Sequence, residues 1–262
     1  MIYFIDFDRI CVKTTLFCGQ SFRHEQHCDT FVVFSGDKSV TVTQTKPSQL
    51  MLTDTTAELL PYWRNYFNAD CNYTELIADF SLDPTLKAAC EFSPGLRVLK
   101  QEPYETLISF IISQNNNIKR ISGSIAKLIE LYGVAALTDP AVLADAPDAD
   151  LCSCGLGYRA EYVKNAAKKV KFNEIDLDEL EKIGYNRAKE QLLTLKGVGE
   201  KVADCVLLFG LNKTEAFPKD VWIKRALNEF YPCGLPECVG NNAGIAQQFL
   251  FHYMRNKDNL RK

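Results

Sequence analysis

The order of apolar and polar residues divides the chain into a strand-forming part and a helix-forming part. Alternating β-branched and aromatic residues, the pattern of half-buried strands, occur at residues 2–7, 11–17, 30–34 and 39–43. The segment SGDK at residues 35–38 has the composition of a turn, so the last two runs predict a hairpin. Residues 61–68 instead favour a helix.

From about residue 83 the apolar positions recur every three to four residues, which is typical of amphipathic helices. The predicted helices cover residues 104–114, 118–132, 160–170, 185–194, 202–209, 221–230 and 244–255. We therefore predict an α+β fold in two domains. A small N-terminal antiparallel β-sheet domain spans residues 1–82, and a larger all-α domain spans residues 83–262.

The charge distribution permits binding to nucleic acid although the net charge is −3. Residues 106–129 contain three basic and no acidic side chains, and residues 186–227 contain eight basic against five acidic ones. Such local excesses can form a cationic face on an acidic protein. No run of residues is apolar enough to predict a signal peptide or a membrane span, so we expect the ten cysteines to be reduced thiols inside the cell.

The segment LKGVGEKVADC at residues 195–205 is the most informative local motif. Gly197 and Gly199 predict a tight turn between two helices, which leaves backbone N–H groups without intrahelical partners at the start of the second helix. Such a helix start favours a phosphate. We therefore predict a helical hairpin at about residues 185–211, with a phosphate site at Gly197, Val198 and Gly199.

Lys201 follows this turn, in the first turn of the second helix. The residues after it are apolar on almost every side, so the helix should be buried and the ammonium partly desolvated, which favours the free amine. A free amine beside a bound phosphodiester is a nucleophile. The residues alone leave a second interpretation open, in which Lys201 is exposed and pairs with Asp204 at the start of an ordinary core helix.

The same segment, followed by AFPKDV at residues 216–221, resembles the helix-hairpin-helix plus Gly/Pro-Asp signature of DNA glycosylases. Four further segments resemble the 8-oxoguanine DNA glycosylase family in particular: GQSFR at 19–23, SQNNNIKR at 113–120, GLGYRA at 155–160 and AGIAQ at 243–247. The matches follow the family's order from about residue 10 to about residue 252. The resemblance implies that residues 83–262 form a helix-hairpin-helix glycosylase domain.

The resemblance implies covalent catalysis without a metal or another cofactor. Lys201 would attack C1′ of the damaged nucleotide, displace the base and form a Schiff base. Asp220 would stabilise the positive charge that develops at C1′. The residues alone also allow Asp220 to cap the helix that begins near Val221, and the two roles are compatible.

The resemblance also implies how the damaged base would be recognised. The Gly19 carbonyl would accept the N7–H that 8-oxoguanine carries and guanine lacks, while Gln247 would read the Watson–Crick edge. Cys205 and Phe251 would stack on the two faces of the ring. Pro218 belongs to the same set of base-recognition residues.

A third set of residues would hold the opened DNA. Asn115 would fill the vacated position in the base stack, Tyr158 would act as a wedge, and Arg120 and Arg159 would donate to the orphaned cytosine. Trp222 stands where many relatives have a phosphate-binding histidine, so only its indole N–H can replace that contact.

We therefore predict a bifunctional DNA glycosylase and AP lyase of base excision repair, which removes 8-oxoguanine paired with cytosine from double-stranded DNA. We expect a monomer that binds no membrane and acts in the nucleoid or cytoplasm of a prokaryote, or in the nucleus of a eukaryote. Two alternatives stay open. A monofunctional alkyl-base glycosylase does not account for Lys201, and a non-catalytic helix-hairpin-helix DNA-binding module does not account for the segments around Gly19 and Gln247.

Overall fold

The computed structural model describes residues 1–257, and its elements change from strands to helices along the chain. The strands are β1 (Tyr3–Asp6), β2 (His24–His27), β3 (Thr30–Ser35), β4 (Lys38–Lys46) and β5 (Gln49–Thr53). The α-helices are α1 (Val12–Phe17), α2 (Leu60–Tyr66), α3 (Tyr73–Phe80), α4 (Pro84–Phe92), α5 (Pro103–Ile112), α6 (Ile118–Tyr132), α7 (Pro140–Asp145), α8 (Asp148–Ser153), α9 (Arg159–Lys171), α10 (Leu177–Lys182), α11 (Tyr185–Leu193), α12 (Glu200–Phe209), α13 (Val221–Phe230) and α14 (Ala243–Asn256). The predicted fold class is confirmed.

The five strands form one sheet in the order β1-β5-β4-β3-β2. Pairing is antiparallel between β1 and β5, between β4 and β5, and between β2 and β3. Burial alternates along β3 and β5, as expected for strands with one face on a core. Val33, Val42 and Leu52 contribute to that core, and Trp63 of α2 is buried in the same cluster.

Residues 11–17 were predicted as a strand, and this prediction was wrong because most of the segment forms α1. Its buried residues are Val12, Thr15 and Leu16, which lie at the i, i+3 and i+4 spacing of a helix face. The strand propensity of adjacent threonines obscured this spacing. The sequence also gave no signal for β2, because its residues HEQH are polar and mostly exposed.

The chain packs as two compact units whose limits differ from the domains predicted by secondary structure. Unit 1 contains residues 1–33, 39–100 and 214 onward, and unit 2 contains residues 34–38 and 101–213. Unit 1 therefore combines the sheet with the C-terminal helices. The division at residue 82 stays a proposal about where strands give way to helices, and residues 258–262 of the second predicted domain lie outside the described residues.

The C-terminal helices of unit 1 pack on helices that directly follow the sheet. Helix α14 packs against α13 and α4. Two side-chain hydrogen bonds join the same parts: Tyr231 Oη donates to Asp83 Oδ1 (2.6 Å), and Ser93 Oγ lies 2.7 Å from His252 Nδ1. Helices separated by more than a hundred residues in the sequence therefore form one core.

Unit 2 is helical apart from residues 34–38 and is built around α5. Every residue of α5 after Pro103 is buried, and the helix packs against α12, α9 and α6. An apolar helix enclosed in this way gives α12 a fixed support. Within the described part of the chain, no helix is both long and apolar enough to cross a membrane.

Candidate active site and DNA-binding residues

The predicted helical hairpin is formed by α11 and α12 in unit 2. Gly197 has a φ of +81°, and a Cβ atom at this position would lie 2.3 Å from the Tyr162 ring, so a glycine is needed on two grounds. Val198 is buried, and its backbone N–H donates to the Leu195 carbonyl (3.0 Å), which closes the turn. Gly199 is the N-cap of α12, and as a glycine it has no side chain that could cap the helix. The first turn of α12 is closed by a hydrogen bond from the Ala203 N–H to the Gly199 carbonyl (3.0 Å). Binding of a phosphate at this helix start stays a prediction.

Lys201 is half-buried in the first turn of α12, with its amine directed at the end of α5. Its Nζ lies 3.3 Å from Ser113 Oγ and 5.1 Å from the centre of the Phe110 ring. Ser113 Oγ donates its own hydrogen to the Phe110 carbonyl (2.7 Å). The serine oxygen can therefore accept a hydrogen bond from the lysine and hold the amine in one place.

Asp204 does not serve as the partner of Lys201, which was the second interpretation of the motif. It is 5% exposed, and it binds Lys189 Nζ (3.0 Å) and accepts from Tyr185 Oη (2.8 Å), both on α11. Lys189 also pairs with Glu200 (2.5 Å). Burial lowers the pKa of Lys189, but the hydrogen bonds that its ammonium donates to Glu200, Tyr185 and Asp204 raise this pKa above its ordinary value. These contacts join the two hairpin helices.

Cys205 lies one turn after Lys201 on α12 and is buried. One turn further, Phe209 stacks on Phe110 with ring centres 5.3 Å apart. The apolar side of α12 is thus packed on α5, as its composition predicted. All ten cysteines are free thiols in the structure.

The segments SQNNNIKR and GLGYRA meet at the surface of unit 2. Asn115 is exposed with a φ of +46°, and its Nδ2 donates to Tyr158 Oη (3.1 Å). Tyr158 is 52% exposed. Asn117 caps α6 by accepting from the Arg120 N–H (3.1 Å). The side chain of Arg120 is exposed in the first turn of this helix. The structure thus brings together Asn115 and Tyr158, the two residues expected to fill and wedge the DNA stack.

Arg159 is placed differently from the prediction that it donates to an orphaned base. It is 7% exposed, and its guanidinium donates to the carbonyls of Gln114 (2.7 and 2.5 Å), Asn115 (3.1 Å) and Leu156 (3.2 Å). All three of its nitrogens therefore bond to backbone within unit 2. The sequence could not reveal this because two of the three acceptor residues, Asn115 and Gln114, lie 44 and 45 residues earlier. In this structure Arg159 supports the turn that carries Asn115.

The remaining predicted residues lie in unit 1, where Gln247 of α14 is the most informative. It is 3% exposed, and its Nε2 donates to the Pro218 carbonyl (3.1 Å). Its Oε1 is also buried, and among residues 1–257 it has no hydrogen-bond partner. A buried amide oxygen without a partner is unusual in a folded protein and points to a group that binds there.

Asp220 is the N-cap of α13, and its Oδ1 accepts from the Ile223 N–H (2.8 Å). The capping interpretation is therefore correct. Trp222 follows in the first turn, half-buried, with the Arg225 guanidinium 5.0 Å from its ring.

Gly19 lies in the turn after α1 and has a φ of +83°, a conformation that favours glycine. Phe251 lies one turn after Gln247 on α14, and the Arg255 guanidinium is 5.9 Å from its ring. Unit 1 therefore holds Gly19, Pro218, Asp220, Trp222, Gln247 and Phe251, and unit 2 holds the other predicted residues. Within the described part of the chain, no three His, Cys, Asp or Glu side chains are grouped to hold a metal ion.

Sequence reasoning missed three side chains that contact the predicted residues. Ser113 begins the segment SQNNNIKR, but nothing in that segment pairs it with Lys201. Lys189 is 15 positions from Asp204, so its role appears only once α11 and α12 pack together. Gln248 directly follows the segment AGIAQ, and its side chain donates to the carbonyl of Cys18, which precedes Gly19.

Two protein-family models match most of the chain. Residues 2–107 match the N-terminal domain of 8-oxoguanine DNA glycosylase, and residues 108–236 match the HhH-GPD superfamily of base excision DNA repair proteins. A probable N-glycosylase/DNA lyase of Methanothermobacter thermautotrophicus is 36% identical over 182 residues, which are 58% of each protein. The N-glycosylase/DNA lyase of Saccharomyces cerevisiae is 31% identical over 87% of this chain and 70% of its own length.

Among solved structures, the chain is similar to an 8-oxoguanine glycosylase/lyase of Clostridium acetobutylicum. That protein was crystallised with double-stranded DNA containing cytosine opposite 8-oxoguanine. The two share 30% identity and a TM-score of 0.89, with 98% of each chain covered.

Proposed function

The chain belongs to the 8-oxoguanine DNA glycosylase family, and from this premise we propose that it is a bifunctional base excision repair enzyme. It removes 8-oxoguanine paired with cytosine from double-stranded DNA and then nicks the strand at the resulting abasic site. The observation that carries the proposal is the placement of Lys201 in the first turn of α12, where its amine lies 3.3 Å from Ser113 Oγ. We further propose that the enzyme acts as a monomer, inside the cell, where genomic DNA is found.

The reaction starts with the neutral amine of Lys201. Its electron pair forms a bond to C1′, the N-glycosidic bond breaks, and the base leaves with that bond's electrons and takes up a proton. The Asp220 carboxylate stabilises the positive charge that the sugar develops in the transition state. The sugar ring then opens: the C1′–O4′ bond breaks, O4′ takes up a proton that the Lys201 nitrogen loses, and this nitrogen becomes a Schiff base with C1′.

The Schiff base then allows the strand to be cut. It acidifies the protons on C2′, and removal of one of them expels the 3′ phosphate by β-elimination. Hydrolysis of the imine releases Lys201. The lysine thus acts in both steps, which is why a single residue accounts for glycosylase and lyase activity.

Recognition of the base is assigned to residues of unit 1, together with Cys205. The Gly19 carbonyl accepts the N7–H of 8-oxoguanine, and Gln247 reads the Watson–Crick edge. The buried and unpaired Oε1 of Gln247 supports this role, since a base edge would supply the missing donor. Phe251 and Cys205 stack on the base, and Pro218 fixes the amide of Gln247.

The duplex is held by exposed residues of unit 2 and by Trp222. Asn115 and Tyr158 occupy the gap left by the extruded nucleotide, Arg120 donates to the orphaned cytosine, and the hairpin amides bind a phosphate. We assign Arg159 to supporting this arrangement from beneath, because its donors are bound to backbone carbonyls.

Borohydride trapping tests the central step. Sodium borohydride should reduce the Schiff base and leave the protein joined to a duplex that contains 8-oxoguanine opposite cytosine. Lys201→Gln should abolish the adduct, whereas Lys196→Gln, a change of the same kind on the exposed side of the hairpin, should leave it intact. An adduct of full yield in Lys201→Gln would show that another amine is the nucleophile.

Asp220→Asn tests the second catalytic residue without loss of the helix cap, because asparagine caps as well as aspartate. Excision should slow by orders of magnitude, while stability and binding to the lesion duplex change little. Equal losses of rate and binding would reduce Asp220 to a structural role. Absence of any product from the unaltered protein would favour a non-catalytic DNA-binding module.

A further inference from the structure

The turn that carries Gly19 is tied to α14 by one buried side chain, Gln248. Its Nε2 donates to the Cys18 carbonyl (3.1 Å) and lies 3.0 Å from Cys18 Sγ. Cys18 directly precedes Gly19, and Gln248 directly follows Gln247. The amide group of Gln248 therefore links the backbone directly before Gly19 to the residue directly after Gln247.

Cys18 keeps its side of this connection as a protonated thiol. Its Sγ–H donates to the Thr15 carbonyl (3.1 Å) and its sulfur accepts from Gln248. Burial raises the pKa of the Cys18 thiol to about 11, so the thiol keeps its proton at neutral pH. The contact between α14 and the turn is therefore a neutral, fully buried hydrogen-bond network.

A different glutamine holds the turn to the rest of unit 1. Gln20 Nε2 donates to the carbonyls of Thr15 and Arg97 (both 2.8 Å), and its Oε1 accepts from the Leu99 N–H (2.8 Å). Gln20 thus secures the shape of the turn, and Gln248 secures its position relative to α14. Gln20 Nε2 also lies 3.2 Å from Cys18 Sγ, but only Gln248 of the two belongs to α14, so a change at Gln248 leaves the backbone bonds of Gln20 in place.

We propose that Gln248 is a specificity-determining positioning residue, which fixes the Gly19 carbonyl relative to Gln247 so that both read the same base. This rests on the proposed function, in which these two groups contact different edges of 8-oxoguanine. A hydrogen bond needs a donor–acceptor distance of about 2.7–3.2 Å, and a misplacement of about 1 Å can lower a rate about 100-fold. Nicking of an abasic site involves no base and does not depend on this distance.

The test compares two reactions of the full chain. Gln248→Met keeps the length and burial of the side chain but removes the amide. The matched control is Gln44→Met, because Gln44 makes a similar double connection in unit 1, to the Ile10 carbonyl (2.7 Å) and the Val12 N–H (3.0 Å). Single-turnover excision from a duplex with 8-oxoguanine opposite cytosine is measured beside nicking of a duplex with an abasic site.

We expect Gln248→Met to lower excision at least about tenfold while nicking changes less than about twofold. Gln44→Met should change both rates by the same factor, as general loosening or loss of folded protein would. An unchanged ratio of the two rates in Gln248→Met, with an active unaltered enzyme, would overturn the inference.

Two further outcomes are distinguishable. If the unaltered enzyme excises no 8-oxoguanine, the proposed function itself fails. If Gln248→Met does not fold, Cys18→Ala removes the sulfur that accepts from Gln248 and from Gln20, and it leaves the carbonyl bonds of both glutamines in place. A smaller fall in the ratio of excision to nicking is then expected, and an unchanged ratio would also count against the role of Gln248.

Discussion

The ion pair between Asp204 and Lys189 offers a direct test of what holds the helical hairpin together. Asp204→Asn preserves the size of the side chain and an oxygen that accepts from Tyr185, but it removes the charge that faces Lys189. Among the carboxylates of residues 1–257, the ammonium group of Lys189 then keeps Glu200 as its charged partner. Because α12 carries Lys201, the position of the proposed nucleophile depends on this contact.

The burial of the pair sets the expected size of the effect. The Asp204 side chain is 6% exposed and the Lys189 side chain 18%, whereas Glu200 is 72% exposed. Removing one partner of a buried pair costs about 3–5 kcal/mol, and an exposed pair contributes about 0–1 kcal/mol. Since Glu200 still neutralises part of the charge, we expect Asp204→Asn to lower the free energy of unfolding by about 2–3 kcal/mol. For a chain of this size the Tm should fall by about 5–10 °C.

Urea unfolding at pH 7 measures the effect, with Glu200→Gln as the matched control at about 1 kcal/mol or less. Lys189→Met and the double variant complete a mutant cycle, in which a coupling of at least about 1.5 kcal/mol is expected. The raised pKa of Lys189 means that its stabilisation is present below the pKa of the unfolded chain, about 10.4, and is lost as the pH rises through the folded value. The difference in the free energy of unfolding between the unaltered chain and Asp204→Asn should therefore stay constant near neutral pH and become smaller above pH about 10.4. Equal effects of Asp204→Asn and Glu200→Gln, or zero coupling, would refute the reasoning.

Three further predictions concern unit 2. Gly197→Ala should lower the free energy of unfolding by about 3 kcal/mol in urea, since it combines a positive φ with a clash, while Gly199→Ala, in open space with extended backbone, should cost about 1 kcal/mol or less. Ser113→Ala should slow borohydride trapping severalfold without a change in Tm beyond about 2 °C, because the lysine amine loses its 3.3 Å contact; an unchanged trapping rate would contradict that role. The unaltered enzyme should excise 8-oxoguanine opposite cytosine at least about tenfold faster than opposite adenine. Arg120→Ala should lower this ratio of rates, whereas Lys119→Ala should not. Equal rates opposite both bases in the unaltered enzyme would refute the role of Arg120.

The sequence predicted the fold class because each region repeats one hydrophobic period over many residues. Helices α5, α6, α9, α11, α12, α13 and α14 all fall where the period of three to four residues indicated them. The failure at α1 has a local cause, since six residues give too short a window to separate the two periods. The packing of units was not predictable, because the contacts of α14 with α4 join segments about 150 residues apart.

Motifs in the sequence indicate which residues are candidates for the site, but they do not indicate the partners of buried polar groups. The motif identified Lys201 and suggested Asp204 as its neighbour from helix spacing alone. In the structure Asp204 turns to α11, where a lysine and a tyrosine together satisfy both oxygens. Arg159 likewise bonds to carbonyls of a distant segment. Spacing indicates which side chains are close on one helix, whereas packing between helices decides which of them bond.

Three buried glutamines of unit 1 show how such a protein separates support from recognition. The amide nitrogens of Gln20 and Gln248 donate to backbone carbonyls and hold the Gly19 turn. Gln247 is equally buried, yet within residues 1–257 its Oε1 has no partner. A buried acceptor in this state costs about 1–3 kcal/mol, and a leucine or methionine at position 247 would avoid that cost. The unpaired acceptor supports the proposal that a ligand supplies a donor to Gln247, and the N1–H and the amino group on the Watson–Crick edge of 8-oxoguanine are such donors.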